Sequence, residues 1–232
     1  MSSRNLTSRL DVTVLDPFAL PEDVHRAAAE AMRHPARAIV TPPVWTARLA
    51  TMLRGSGVRI VSLVGHPDGT AKPTLKAIEA TSTIKDGADE IEVVPHFVAI
   101  LRQDLDAARA ELLEVARAAR TTRREVGISV VLRADGLARI TDPAALERTL
   151  DIACRAARES GSDGLTVLRA YPSSSGPTAA EIIRLLKPQA EGLLIKVAAV
   201  DDADSASELL AAGSDRIGTS SPQWNADTSK GG

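Results

Sequence analysis

Short, nearly unbroken apolar runs alternate along the chain with longer stretches where Ala, Leu, Arg and Glu recur at helical spacing. The runs lie at 11–15, 38–41, 58–64, 90–94, 128–133, 165–168, 193–198 and 216–217. Their continuity predicts strands covered on both faces. The stretches 21–34, 43–54, 74–85, 104–121, 142–159, 178–186 and 202–212 predict helices. Local chemistry agrees with these limits. Pro21 and two acidic residues open the first helix, Asp142 precedes Pro143 as a cap, and Gly161 and Gly213 stand at helix ends.

Eight strands with helices between them wind into an open doubly wound sheet or close into a barrel. An open sheet of that kind usually carries a glycine-rich phosphate turn after its first strand. Here the first run leads into Asp16-Pro17, with no glycine. Even spacing over 232 residues favours a (β/α)8 TIM barrel. A single barrel domain is expected over 1–221, with a polar, unstructured tail over 222–232. That tail is too polar for a regular eighth helix. The flanking helices 21–34 and 202–212 would then expose Ala, Leu and Met, so the chain is expected to oligomerise, as a homo-dimer or as a heteromer with a related barrel.

Composition narrows the partners. The chain is 44% hydrophobic and carries 28 basic and 30 acidic side chains, which suits a packed core and offers no basic surplus for nucleic acid. No run approaches a membrane span, and the first residues lack the apolar middle of a signal peptide. A cytoplasmic protein is expected. Cys154 is the only cysteine, so an intrachain disulfide is impossible; on the apolar side of its helix it reads as packing.

Polar residues within apolar strands are the informative exceptions, because burying them unpaired costs free energy. Glu92 lies in ADEIEVV, Thr166 in GLTVL and Lys196 in LLIKVAA; Arg133 closes ISVVLR, and Asp11 alternates with Thr13. Glu92 and Lys196 could face each other across a barrel lumen, as a proton-transfer pair or with Lys196 as a desolvated, imine-forming amine. Spacing leaves a charge-neutralised structural pair equally open. His66 and His96 follow the third and fourth strands, where barrel sites collect their acids and bases. Gly218-Thr219-Ser220-Ser221 after the last strand could present N–H groups and hydroxyls to an anion. No ligand spacing for a metal and no phosphate loop is present, so neither metal nor cofactor is expected.

The segments GSGVRIVSLVGHPDGT (55–70), IKDGADEIEVV (84–94) and AAGSDRIGTSS (211–221) resemble those of the deoxyribose-phosphate aldolases, class I enzymes that work through a Schiff base in a (β/α)8 barrel. DVTVL at 11–15 is similar to the start of that family's first strand, and Pro43 matches its proline after strand two. The resemblance implies phosphate contacts at Gly218, Thr219, Ser220 and Ser221; Thr13, His96 and Arg169, at strand ends, are further candidates for substrate binding. It implies catalytic roles at Lys196, which matches the strand-seven lysine, and at Glu92, which stands for an aspartate; Asp11 and His66 remain catalytic candidates from their places in and after the strands. It also marks departures. The imine-forming lysine of strand six is matched by Thr166, and the glutamate ending strand five by Arg133. The phosphate-binding glycines are matched by Ala170, Ala199 and Val200, and the arginine that follows them by Asp202.

An ordinary aldolase with its imine-forming lysine relocated is one reading of function, and two others follow. One is a diverged lyase or cyclase that acts on a small carbonyl compound through Lys196 and Glu92, without ordinary cleavage of deoxyribose 5-phosphate. The other is a catalytically inactive aldolase-like subunit or scaffold that binds a partner chain.

Overall fold

The computed structural model describes residues 8–34, 36–169 and 176–220. Its strands are β1 (Leu10–Thr13), β2 (Ala38–Thr41), β3 (Arg59–Val64), β4 (Glu90–Val93), β5 (Gly127–Arg133), β6 (Gly164–Leu168), β7 (Leu194–Ala198) and β8 (Arg216–Thr219). All pair in parallel with their neighbours in sequence, and β8 returns to β1 to close a barrel. Each predicted run is a strand, with ends shifted by one or two residues.

Around the strands lie α1 (Pro21–Arg33), α2 (Thr46–Met52, after a 3₁₀ turn at Pro43–Trp45), α3 (Pro73–Lys85), α4 (Phe97–Leu101), α5 (Leu105–Thr122), α6 (Ala134–Leu137), α7 (Pro143–Glu159), α8 (Ala179–Leu186) and α9 (Ala203–Ala212). Helices α4 and α6 were not anticipated; four or five residues are too few to display a helical period. Helices α5, α7, α8 and α9 start where a side chain satisfies an early N–H group. Asp142 accepts from Ala144 and Ala145, and Thr178 and Glu181 cap each other's backbone at α8.

Strand alternation separates two kinds of interior. Val12, Ile39, Ile91, Val130, Leu132, Leu165, Val167, Ile195 and Ile217 are buried against the helices. Inside the barrel, Ala38, Val40, Val61 and Leu63 pack with Leu15 as a small separate cluster. Charged side chains also stand in the lumen, and they position the site.

The apolar stripe expected on α1 and α9 is not exposed. Val24, Ala28 and Ala31 on α1 and Ala206, Leu209 and Leu210 on α9 are buried, leaving Met32 as the one large exposed apolar side chain on either helix. The α1 residues pack with Val12, Ile39 and Leu49, and the α9 residues join the main core. The tail 222–232 and the eighth-helix position lie outside the described residues. Among the described residues, no helix is long and apolar enough to cross a membrane.

Candidate active site

Lys196 on β7 lies in the barrel interior with only 4% of its surface exposed. Its Nζ donates to Glu92 Oε1 on β4 at 2.7 Å and lies 2.8 Å from Asp11 Oδ2 on β1. The two strands are far apart in sequence, and only barrel closure brings them to one ammonium. Gly218 on β8 makes room for this lysine: a Cβ there would stand 3.2 Å from Lys196 Cε. Thr166 is the β6 neighbour in register with Lys196. Its hydroxyl is buried without a hydrogen-bond partner.

Charge continues toward the N-terminal end of the barrel. Arg37, just before β2, clamps Asp11 through Nε at 2.7 Å and Nη2 at 2.8 Å, and reaches Glu90 Oε1 through Nη1 at 2.7 Å. Glu90 also pairs with Arg59 at 2.9 Å and Arg216 at 3.1 Å. Gly127 on β5 leaves space for Glu90, since a Cβ would fall 2.7 Å from Glu90 Cγ. The result is an alternating line of charge: Glu92, Lys196, Asp11, Arg37, Glu90, then two further arginines.

This line fixes protonation. Burial opposes charge on Asp11, but the Lys196 and Arg37 charges outweigh it and hold the carboxyl below the ordinary range. Burial likewise opposes charge on Glu90 and loses to Arg37, Arg216 and Arg59. For Lys196 the sequence left open a proton-transfer pair, an amine made neutral by desolvation, and a charge-neutralised structural pair. The charges around it oppose the neutral amine. Burial does push its pKa down, yet Asp11 and Glu92 outweigh burial and raise it, so the side chain rests as an ammonium.

Toward the C-terminal ends of the strands, Lys196, Glu92, Thr166, His66 and Thr13 line a cavity of about 20 Å³, walled otherwise by Leu15, Val40, Leu63, Val94, Val131, Leu168 and Ala198. That is room for roughly one water. His66 is exposed at the surface; desolvation of its ring and nearby Arg133 depress its pKa against the opposing pull of Asp68. Sequence reasoning thus placed five of the lining residues.

The remaining candidates sit elsewhere. Arg133 is bonded to Asp135 at 2.6 Å and to the Pro67 carbonyl at 3.1 Å, bracing the loop that carries His66. His96 is exposed, and its backbone N–H donates to Glu111. Arg169 is half-buried; the nearby Asp202 carboxyl is held below its ordinary range chiefly by hydrogen bonds from Ser205, with Arg169 adding to them. Thr219 is buried and Ser220 exposed; Ala170 and Ser221 lie outside the described residues. Ala199, in the turn after β7, has φ of +62°, a conformation that favours glycine. Asp202 caps α9, accepting from Ser205 N at 2.7 Å. Among the described residues no group of three His, Cys, Asp or Glu side chains could hold a metal.

Sequence reasoning missed Arg37 and Glu90, and also a buried pair under the His66 loop. Lys76 on α3 is fully buried, pairs with Glu111 on α5 and donates to the Gly69 carbonyl at 2.6 Å. Gly69 must be glycine: a Cβ would lie 2.0 Å from the Pro95 carbonyl oxygen. Lys76 and Glu111 fall in helices where charge ordinarily marks the solvated face, so no sequence signal distinguishes them. For Arg37 and Glu90 the signal was charge at the entrance of an apolar strand.

No protein-family profile matches the chain. A deoxyribose-phosphate aldolase of Thermus thermophilus is 31% identical over 221 residues, covering 94% of this chain and 93% of its own. One from Aeropyrum pernix is 30% identical over 222 residues, with 95% and 88% covered. Among solved structures, the tetrameric deoxyribose phosphate aldolase of Aeropyrum pernix aligns over 99% of this chain and 93% of its own, with TM-score 0.83 at 27% identity. QR15, an aldolase, aligns over 97% and 96% with TM-score 0.82 at 22% identity, a likeness of fold.

Proposed function

Because the chain belongs to the deoxyribose-phosphate aldolase family, we propose that it is an aldolase-type lyase or cyclase acting on a small carbonyl compound through Lys196 and Glu92, and that it does not carry out ordinary cleavage of deoxyribose 5-phosphate. The carrying observation is the Lys196 ammonium held between Glu92 and Asp11 beside the unpaired Thr166 hydroxyl. A threonine hydroxyl forms no imine, and an ammonium is no nucleophile. It is, however, a preorganised positive charge in a site of low dielectric, suited to an oxygen that gains negative charge.

In the cleavage direction Glu92 accepts the proton of a β-hydroxyl. The carbon–carbon bond then breaks, and its electron pair passes into the carbonyl to form an enolate whose oxygen meets the Lys196 ammonium. The proton held on Glu92 returns to the enolate carbon. Asp11, clamped by Arg37, keeps Lys196 charged throughout. Incubation in D₂O with a panel of small aldehydes and ketones, followed by NMR, tests this. Exchange at the α-carbon that is lost in Lys196→Met and Glu92→Gln supports it. Efficient turnover of deoxyribose 5-phosphate with a borohydride-trapped adduct on this chain overturns it.

A second reading draws on the small cavity and the complete pairing of its charges: a catalytically silent barrel serving as a subunit. Co-purification with a related barrel, together with no exchange on any carbonyl, favours it. Oligomerisation belongs to either reading. A related aldolase is tetrameric, and here Phe18, Leu20 and Val44, in loops after β1 and β2, with Leu75 and Ile78 on α3, are exposed apolar side chains. Light scattering distinguishes a homo-oligomer from a monomer that awaits a partner.

A further inference from the structure

Lys76 on α3 and Glu111 on α5 form a buried ion pair that the lumen chemistry does not use. Replacing such a pair by apolar residues of similar volume often leaves stability unchanged or raises it, so stability alone does not account for its presence. Its hydrogen bonds do. Lys76 Nζ donates to the Gly69 carbonyl at 2.6 Å, in the loop after β3. Both Glu111 oxygens accept from His96 N at 3.1 Å, in the loop after β4. One pair of charges on two outer helices thus holds the backbone of two neighbouring loops at the C-terminal end of the barrel, where barrel sites are built.

The two loops are also fitted to each other. A Cβ on Gly69 would lie 2.0 Å from the Pro95 carbonyl oxygen, and one on Gly65 would lie 2.8 Å from Lys76 Cε and 3.0 Å from the Val94 carbonyl oxygen. Gly69 N donates to the Gly65 carbonyl at 2.8 Å, and Gly65 N donates to Glu79 Oε2 on α3 at 2.7 Å. The first loop therefore closes as a compact turn against the Lys76 stem. It carries His66, which lines the cavity with Glu92 and Lys196 while remaining open to solvent. Resting on the reading that the lumen is the working site, we infer that Lys76 and Glu111 are positioning residues. They lock the loops after β3 and β4 together and so hold the His66 imidazole at the edge of the cavity, as an acid or base between the lumen and solvent.

The test uses the full chain with Lys76→Met and Glu111→Leu combined, because either substitution alone strands one charge in the interior. NMR reads amide exchange and the ring signals of the four histidines, with His66 assigned through His66→Gln. In the wild type the His96 amide is expected to be protected, although its residue is exposed. The double variant is expected to melt near the wild-type temperature and to exchange amides at 65–72 and at His96 about tenfold faster or more, with strand amides unchanged. Its His66 ring signals should move to those of a histidine in a short peptide. Glu111→Gln in place of Glu111→Leu returns an acceptor to His96 N and should restore protection there. An unprotected His96 amide in the wild type overturns the inference. So do strand amides that exchange as fast as the loops, unchanged loop exchange, or unchanged His66 signals in the double variant. The α-proton exchange proposed above should slow about tenfold or more in that variant, and an unchanged rate with loosened loops also overturns the inference. No α-proton exchange by the wild type would instead defeat the catalytic reading, while the loop and histidine measurements still decide this one.

Discussion

Lys196→Met removes one cation from between two buried carboxylates, and the structure says how unequally they would be left. At 2.7 and 2.8 Å each ion pair is worth about 6 kcal/mol of Coulomb attraction at an effective dielectric near 20. Desolvating the ammonium takes back several kcal/mol. Asp11 keeps its two bonds to Arg37, whereas Lys196 is the only ion-pair partner found for Glu92 among the described residues. The net loss is therefore expected at about 3–5 kcal/mol, the range for a buried pair broken from one side. In a domain of this size that lowers the melting temperature by roughly 6–20 °C. Urea denaturation at neutral pH, followed by circular dichroism, measures it. Adding Glu92→Gln should recover part of the loss, because the uncompensated charge is then gone. A loss below about 1 kcal/mol, or a double variant less stable than Lys196→Met by the full Glu92→Gln effect, would refute the assignment of Lys196 as the charge that holds this lumen together.

The pKa shifts set the pH range of stability. Asp11 and Glu90 are depressed from 3.8 and 4.5, so their contribution is present above those values and is lost as pH falls through the lower folded ones. Lys196 is raised from 10.5, so its contribution is present below that value and is lost as pH rises through the folded one. Thermal melts should show a plateau between these limits, and Asp11→Asn should flatten the acid limb. Ala199→Gly relieves a left-handed alanine and is expected to stabilise by about 1 kcal/mol in urea titrations. Cys154 is fully buried and its thiol is pushed up to about 11 by burial, so a thiol reagent should label it only at the rate of unfolding. Gly69→Ala should abolish stable packing of the His66 loop, visible as faster amide exchange at residues 65–72, because its Cβ would overlap the Pro95 carbonyl.

The sequence by itself determined the barrel. A parallel strand buried on both faces must be apolar along its whole length, so runs such as 58–64 and 193–198 declare themselves without any tertiary information. The same rule made Glu92, Thr166 and Lys196 conspicuous, since a polar residue in such a run needs a reason. What each of them does was decided by closure. Lys196 read alone suggests an amine neutralised by burial; with Glu92 and Asp11 placed against it, attraction outweighs desolvation and the opposite holds. Arg37, which sets Asp11, pairs across 26 positions, and no local pattern encodes a contact of that span. Lys76 and Glu111 look like ordinary solvated helix charges until the loop over them buries both. The expected stripe on the first and last helices failed for a related reason. Alanine shows in a sequence as apolar, but whether it faces water or a neighbouring strand depends on how closely two elements approach, and only packing fixes that distance.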